Sequence, residues 1–215
     1  MTKNSKWQDE YWLLLMQLYL EKPTGIKPMY SKALVDLSLE LHIAPQQIFN
    51  KLCQIANLET PRIEHIWEVY GQNPRKLKRA VNLLREMWGF NNALEFYEGV
   101  ETVESFEKDF KPIASDSQVT PIMLVLILDV YFRLTPITMV PETPEVQELA
   151  KLMRLKPQEV VSVMEAFQHC DPYLNRKDVA EGPLAQACQQ VWRRFGNAEP
   201  QDLESYADQL KEYFK

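Results

Sequence analysis

The chain has 215 residues, 46% of them hydrophobic and 25% charged, a composition that is typical of a folded globular protein and excludes a disordered one. Its net charge of −6 is uneven, because residues 1–100 have 12 basic and 11 acidic side chains whereas residues 101–215 have 12 and 19. Since nucleic-acid affinity comes mostly from neutralised phosphates, only the first half suits a nucleic-acid partner.

Apolar spacing and proline positions predict helices throughout the first half. Residues 6–21 are apolar nearly all round and should form a central helix. Further helices are predicted to begin after Ser31, at Pro45, after Thr60 and at Pro74. These starts follow from two local preferences: Ser and Thr cap helix N-termini, and proline suits the first helical position.

The second half repeats this pattern, which indicates an internal duplication. At an offset of 112 residues, the apolar positions of residues 11–55 recur without a gap, although only five of those 45 positions are identical. The prediction therefore depends on the shared register of apolar residues, N-caps and prolines. We predict an all-α fold of two similar multi-helix halves, with an N-terminal repeat at 1–110, a linker rich in Ser and Asp at 111–119, and a C-terminal repeat at 120–215.

Two stretches, one in each half, share a finer pattern: residues 41–52, LHIAPQQIFNKL, and residues 153–164, MRLKPQEVVSVM. Each predicts a helix end, a tight turn and a second helix opened by proline. Because a small residue precedes the turn and apolar residues follow it, each stretch resembles the helix-turn-helix of bacterial regulators over about 20 residues. In the turn, where that family usually has glycine, the first stretch has His42 and the second has Arg154. The resemblance implies a tri-helical unit in each half.

The polar face of the second helix in this unit is the first candidate contact site. If the first half binds DNA, this face offers amides and an ammonium to base edges in the major groove: Gln46, Gln47, Asn50 and Lys51. The same face of the second copy is neutral to acidic, so the phosphates of DNA would not be attracted to it. Its residues are Gln158, Glu159 and Ser162. The alternative interpretation is a packing unit with a solvated polar face.

A run of cations at the start of the fifth helix is the second candidate contact site: Arg75, Lys76, Lys78 and Arg79. The second half has no counterpart and carries uncharged residues there: Gly182, Pro183, Ala185 and Gln186. Four cations can hold a phosphate backbone or an acidic protein surface. The alternative is a solvated helix face, although cations in a first turn oppose the helix dipole and cost some stability.

Groups for catalysis or metal binding are few. His42, His65 and His169 lie far apart, and no HExxH, GxSxG, Walker-type or GxGxxG pattern occurs. The three cysteines form no CxxC pair, and no metal ligands are grouped. We therefore predict no enzyme activity, no cofactor and no metal site. A hydrolase or transferase with an unrecognised pocket is the alternative.

Cysteine usage and the apolar runs favour a cytoplasmic protein without a membrane partner. An odd cysteine count without a secretory segment indicates a reducing compartment. Asp9 and Glu10 precede the N-terminal apolar run and no small-residue cleavage site follows it, so no signal peptide is predicted. The apolar run at 121–134 contains Asp129 and is shorter than the roughly 20 residues of a membrane span, which predicts a buried helix.

Together these patterns predict a non-catalytic protein-interaction or adaptor protein whose partner is another protein, without indicating an oligomeric state. The rival is a DNA-binding transcriptional regulator. It would use the helix-turn-helix-like unit of the first half together with the basic helix at 74–88.

Overall fold

A computed structural model describes residues 7–87, 90, 106–115, 117–174, 176 and 181–215. Over these residues the chain forms ten α-helices and three short 3-10 helices, with no strand. The predicted all-α fold is therefore confirmed. The chain divides into two compact units, Met1–Val103 and Glu104–Lys215. The finer division into repeats and a linker at 111–119 stays a prediction.

Five described α-helices form the first unit. They are α1 (Tyr11–Leu20), α2 (Lys32–Leu41), α3 (Pro45–Ala56), α4 (Pro61–Tyr70) and α5 (Pro74–Glu86). The start of α1 differs from the predicted residue 6, because Trp7 precedes the helix and packs beside it as a half-buried ring. The basic helix predicted at 74–88 ends at Glu86, and residue 88 lies outside the described residues.

The core of the first unit is built around α1, which packs against α3, α4 and α5. Leu14, Leu15 and Met16 are all buried on successive positions of α1, as its all-round apolar sequence requires. The surrounding helices each bury one stripe instead, such as Leu77 and Val81 on α5. Each fully buried aliphatic side chain contributes about 1.5–3 kcal/mol to the free energy of unfolding.

Five further α-helices form the second unit. They are α6 (Pro121–Arg133), α7 (Pro144–Met153), α8 (Pro157–Cys170), α9 (Pro183–Phe195) and α10 (Pro200–Lys211). The 3-10 helices are Phe106–Phe110, Pro136–Thr138 and Glu212–Phe214. The predicted apolar run forms α6, which packs against all four other helices of this unit and buries every residue from 122 to 131. None of the described helices has the length and apolar character needed to cross a membrane.

The turns after α2 and α7 have the same backbone conformation. His42 has φ 54° and ψ 34°, and Arg154 has φ 59° and ψ 35°, both in the left-handed region that favours glycine. The next residue in each turn donates its N–H to the carbonyl five positions earlier, at 3.1 Å from Ser38 and 2.9 Å from Ala150. These two small residues are buried where the helices meet. The left-handed cap therefore forms without glycine.

Helix starts in the first unit are capped at some of the predicted residues. The Thr60 side chain accepts a hydrogen bond from the Ile63 N–H at 3.3 Å, and Asn73 accepts one from the Lys76 N–H at 3.1 Å. Ser31 occupies the N-cap position of α2 but its side chain makes no capping bond. Its cap was predicted from residue type, which does not fix the side-chain rotamer.

Candidate interaction surface

Helix α5 has one buried face and one exposed face. Leu77, Val81 and Leu84 pack into the core of the first unit. The opposite face lines a shallow depression whose described residues are Arg75, Lys78, Arg79, Asn82, Leu83 and Glu86. These positions recur at intervals of three and four residues, so they form one stripe along the helix. Three of the eight predicted contact residues therefore lie together here.

Two exposed apolar side chains extend this surface, and the sequence patterns did not reveal them. Leu83 is 55% exposed and Met87, the C-cap residue of α5, is 60% exposed. Their exposure could have been predicted from their positions, because both lie outside the buried stripe of α5 and so cannot pack into the core. We call Met87 and the six residues of the depression the α5 face.

The cations of the α5 face stand where the helix dipole opposes them. Arg75, Lys78 and Arg79 lie in the first two turns of α5, near the partial positive charge of the helix N-terminus. Helix α9 shows the favourable arrangement, with Arg193 and Arg194 in its last turn. Helix stability therefore does not account for the charge at the start of α5.

The fourth cation of the predicted run turns away from the α5 face. The Lys76 ammonium lies 5.2 Å from the centroid of the Tyr70 ring at the end of α4. A cation at this distance from an aromatic face is attracted by the negative charge of the ring. Lys76 therefore links α4 to α5.

A bidentate ion pair fixes the far end of α5. The Arg85 guanidinium donates to both carboxylate oxygens of Glu40 on α2, from Nε at 2.6 Å and from Nη2 at 2.8 Å. The hydrogen bond to Glu40 raises the pKa of Arg85. Paired hydrogen bonds of this kind fix orientation as well as distance. The pair therefore joins α5 to α2, the helix that precedes the left-handed turn at His42.

The polar face of α3 carries three of the remaining predicted residues. Gln46, Gln47 and Asn50 are exposed in the first turns of this helix. The amide of Gln46 donates to Oδ1 of Asn50 at 3.2 Å. This face is therefore accessible and neutral, and part of its hydrogen-bonding capacity is used within the helix.

Lys51, the only cation predicted on that face, has a structural contact. Its ammonium lies 5.0 Å from the centroid of the Trp7 ring and 4.9 Å from that of Trp12. The two tryptophan rings are themselves in edge contact, with centroids 4.8 Å apart. Two cation–π contacts hold the ammonium against α1 and its preceding segment. Lys51 is therefore turned toward the core.

The two predicted contact sites lie on different helices, α3 and α5. Helices α3 and α5 each pack mainly against α1. The cations gather on α5, while the exposed residues of α3 supply amides alone. In the second unit the corresponding face of α8 is also exposed, and Glu159 there accepts the Lys156 N–H at 2.7 Å.

The three histidines lie on separate elements. His42 is in the turn after α2, His65 is exposed on α4, and His169 lies near the end of α8. In the described ranges there is no group of three or more His, Cys, Asp or Glu side chains that could hold a metal ion. Burial raises the pKa of the Cys188 thiol to about 12 and also raises that of Cys170. Both thiols are therefore protonated and weakly nucleophilic at neutral pH.

The chain matches no protein-family model, and no curated protein or solved structure is significantly similar to it.

Proposed function

We propose that this is a non-catalytic, cytoplasmic interaction protein that binds an acidic segment of another protein along the α5 face. The observation that supports it best is the combination on one stripe of three exposed cations with the exposed side chains of Leu83 and Met87. Cations recognise carboxylates, and apolar side chains recognise other apolar side chains. An amphipathic acidic helix or strand could pair its carboxylates with the cations and pack its apolar side chains against Leu83 and Met87.

Two observations favour an acidic protein over DNA as the partner. Lys51 has its ammonium on the Trp7 and Trp12 rings, so the helix that would enter the major groove contributes no free cation. The chain as a whole carries a net charge of −6, which repels the many phosphates of a DNA duplex more strongly than the few carboxylates of a short acidic segment. Exposed Leu83 and Met87 would also gain little from a phosphate backbone.

We also propose that the two units arose by duplication of a helix-turn-helix-like unit. The bounds of α7, Pro144–Met153, lie 112 residues after those of α2, Lys32–Leu41, and the first residues of α3 and α8 differ by the same number. The shared left-handed turns at His42 and Arg154 support the same proposal. Duplicated packing with cations in the first turns of α5 but not of α9 is what an adaptor with one specialised unit would show.

DNA binding remains the second candidate, and the turn geometry favours it. The left-handed residue at His42, followed by a helix with exposed Gln46, Gln47 and Asn50, is the arrangement a regulator would use to present α3 to base edges. On this alternative the α5 cations would contact the phosphate backbone beside the groove.

The test compares binding of fluorescent probes by anisotropy. The probes are helical peptides with leucines four residues apart and glutamates on the adjoining stripe, the same peptides with lysine for glutamate, and a generic DNA duplex. The variants are R75E/K78E/R79E and L83S/M87S. A control, K22E/K32E/R62E, reverses three exposed cations elsewhere in the first unit and changes net charge equally.

We expect the acidic peptides to bind and the R75E/K78E/R79E variant to bind them at least about tenfold more weakly, since three surface ion pairs together contribute about 1.5 kcal/mol. L83S/M87S should also weaken binding, and the control should not. Equal binding of acidic and lysine peptides would overturn the proposal. Salt-sensitive binding of the duplex that depends on the same cations, with no peptide binding, would establish the alternative.

A further inference from the structure

The second unit exposes its own set of apolar side chains, and all of those described lie at one end. They belong to the last turn of α6 and to the segments that follow α6 and α8: Phe132, Ile137, Val140, Tyr173 and Leu174. Ile137 is 89% exposed and Tyr173 is 91% exposed, which is unusual for side chains of this size. Exposed apolar side chains that cluster in this way mark interaction sites more often than scattered ones do.

A buried amide holds the two segments together. Gln168, which is only 5% exposed, directs its Nε2 toward the sulfur of Met139 at 3.4 Å. Its Oε1 accepts a hydrogen bond from the Arg176 guanidinium. Ile137 and Val140 lie within two residues of Met139, and Leu174 lies two residues before Arg176. One buried side chain thus joins the segment after α6 to the segment after α8.

A second link ties the same region to α6. The Tyr131 hydroxyl donates to Oδ2 of Asp171 at 2.9 Å, and Oδ1 of Asp171 accepts the Tyr173 N–H at 2.9 Å. Tyr173 therefore projects from a turn whose backbone is anchored, while its ring stays in solvent. A pre-organised backbone lowers the entropy cost of binding a partner.

Aromatic rings form the floor of this region. The Trp192 ring of α9 lies 5.4 Å from that of Phe132, 6.0 Å from that of Tyr131 and 6.2 Å from that of Phe167, measured between centroids. Phe132 is 43% exposed, so the cluster continues from the core to the surface. A partner side chain that covers Phe132 would therefore extend an existing aromatic core.

Guanidinium groups border these apolar side chains. Arg133 follows Phe132 and donates to Oδ2 of the buried Asp129 at 2.7 Å, and Arg176 donates to Gln168. Each guanidinium has five N–H donors and uses only part of them in these contacts. Both side chains are exposed, so the remaining donors face solvent beside the apolar residues. The two guanidiniums therefore offer donors to carboxylates, although residues 101–215 as a whole have 12 basic and 19 acidic side chains.

We propose that this region, which we call the α6/α8 end, is a second docking site for a partner protein segment with bulky apolar side chains flanked by carboxylates. It comprises the five exposed apolar residues together with Arg133 and Arg176. Apolar anchors would cover Phe132, Ile137 and Tyr173, and the carboxylates would pair with the two guanidiniums. A second copy of this chain fits less well, because a twofold contact would bring the same guanidiniums of both copies together.

This site is independent of the α5 face, and the two together would make the protein a bivalent adaptor. The probes are an array of short peptides with a Trp or Phe near a Leu, flanked by Asp or Glu. Matched arrays replace the acids with Lys or the apolar residues with Ser. Peptides that bind on the array are then titrated by fluorescence anisotropy against the R75E/K78E/R79E chain, whose α5 face has lost its cations, with and without I137S/Y173S.

Both substituted side chains are almost fully exposed, so I137S/Y173S should keep the wild-type circular dichroism and thermal midpoint. We expect the acid-flanked apolar peptides to bind and the variant to bind them at least about tenfold more weakly, as for apolar anchors in other interfaces. I26S, which removes an exposed apolar side chain of the first unit outside the α5 face, should not weaken their binding. That pattern would hold even if the α5 proposal failed.

Two results would overturn the inference. One is an array in which acid-flanked peptides bind no better than lysine-flanked or serine-substituted ones. The other is sedimentation velocity showing a wild-type dimer that I137S/Y173S converts to monomer, since the occupant would then be a second copy.

Discussion

Arg85 on α5 and Glu40 on α2 form a two-point ion pair, with donor–acceptor distances of 2.6 and 2.8 Å. The side chains are 42% and 26% exposed, so water weakens the attraction without removing it. Because the pair lies at the end of α5 opposite to Arg75, it fixes the orientation of the helix while leaving the α5 face open. The paired Arg85 and the exposed cations Arg75, Lys78 and Arg79 thus lie at opposite ends of one helix.

We expect R85Q to lower the free energy of unfolding by about 0.5–1 kcal/mol, the upper range for a partly exposed ion pair with good geometry. R79Q removes an exposed guanidinium of the α5 face and should change stability by less than about 0.5 kcal/mol. Urea unfolding at low and high salt measures both, and salt should reduce the R85Q effect. Equal losses in the two variants would contradict the separation of roles.

The left-handed turn predicts a stabilising substitution. Arg154 is exposed and has φ 59°, a conformation that costs a non-glycine residue about 1–2 kcal/mol. R154G should therefore raise the free energy of unfolding by about 0.5–1 kcal/mol, after allowing for the greater freedom of glycine in the unfolded chain. K151G, three residues earlier in the exposed last turn of α7, should be destabilising. Thermal unfolding of both variants tests this, and a destabilised R154G would refute the turn geometry.

The contact of Lys51 with two tryptophans predicts a spectroscopic change. K51Q removes the cation from the Trp7 and Trp12 rings, which should shift tryptophan emission and lower stability by about 0.5–1 kcal/mol. N50A, on the exposed side of the same helix, should leave emission unchanged. If N50A and K51Q gave the same spectra, Lys51 would have to point to solvent.

Asp129 predicts a pH dependence of stability. Burial raises the pKa of its carboxyl above 3.8, against the opposing effects of Arg133 and Lys211. The folded chain therefore holds a proton that the unfolded chain releases, and stability is lost as pH rises from about 3.8 through the raised pKa. D129N removes this loss, so its stability relative to wild type should rise with pH over that window. Unfolding measured from acid to neutral pH would show parallel curves if the carboxyl were not buried.

The helical architecture could be predicted because its signals are local. Every α-helix from α3 to α10 begins with proline, whose fixed φ suits the first helical position and lacks only an N–H that needs no partner there. The all-round apolar sequences of α1 and α6 likewise indicated central helices, and both have that position in their units.

The candidate sites were only partly predictable because they depend on tertiary contacts. Side-chain type indicated Lys51 as a contact residue, but its direction is set by Trp7, 44 positions earlier in the sequence. Exposure of Leu83 and Ile137 likewise depends on which neighbours cover them, which residue type does not determine. The left-handed His42 runs against its local preference and is held by the packing of the segment it joins.

The central claim is that the α5 face binds a partner segment through its carboxylates and apolar side chains. Reversing the charges of both the α5 face and the peptide tests this claim most directly. The R75E/K78E/R79E variant should fold well, because acids suit the first turns of a helix. The account predicts that this variant binds the glutamate peptides more weakly than wild type does and binds the lysine peptides more tightly. L83S/M87S should bind both sets of peptides weakly. A charge-reversed variant that binds lysine peptides no better than wild type does would contradict the claim.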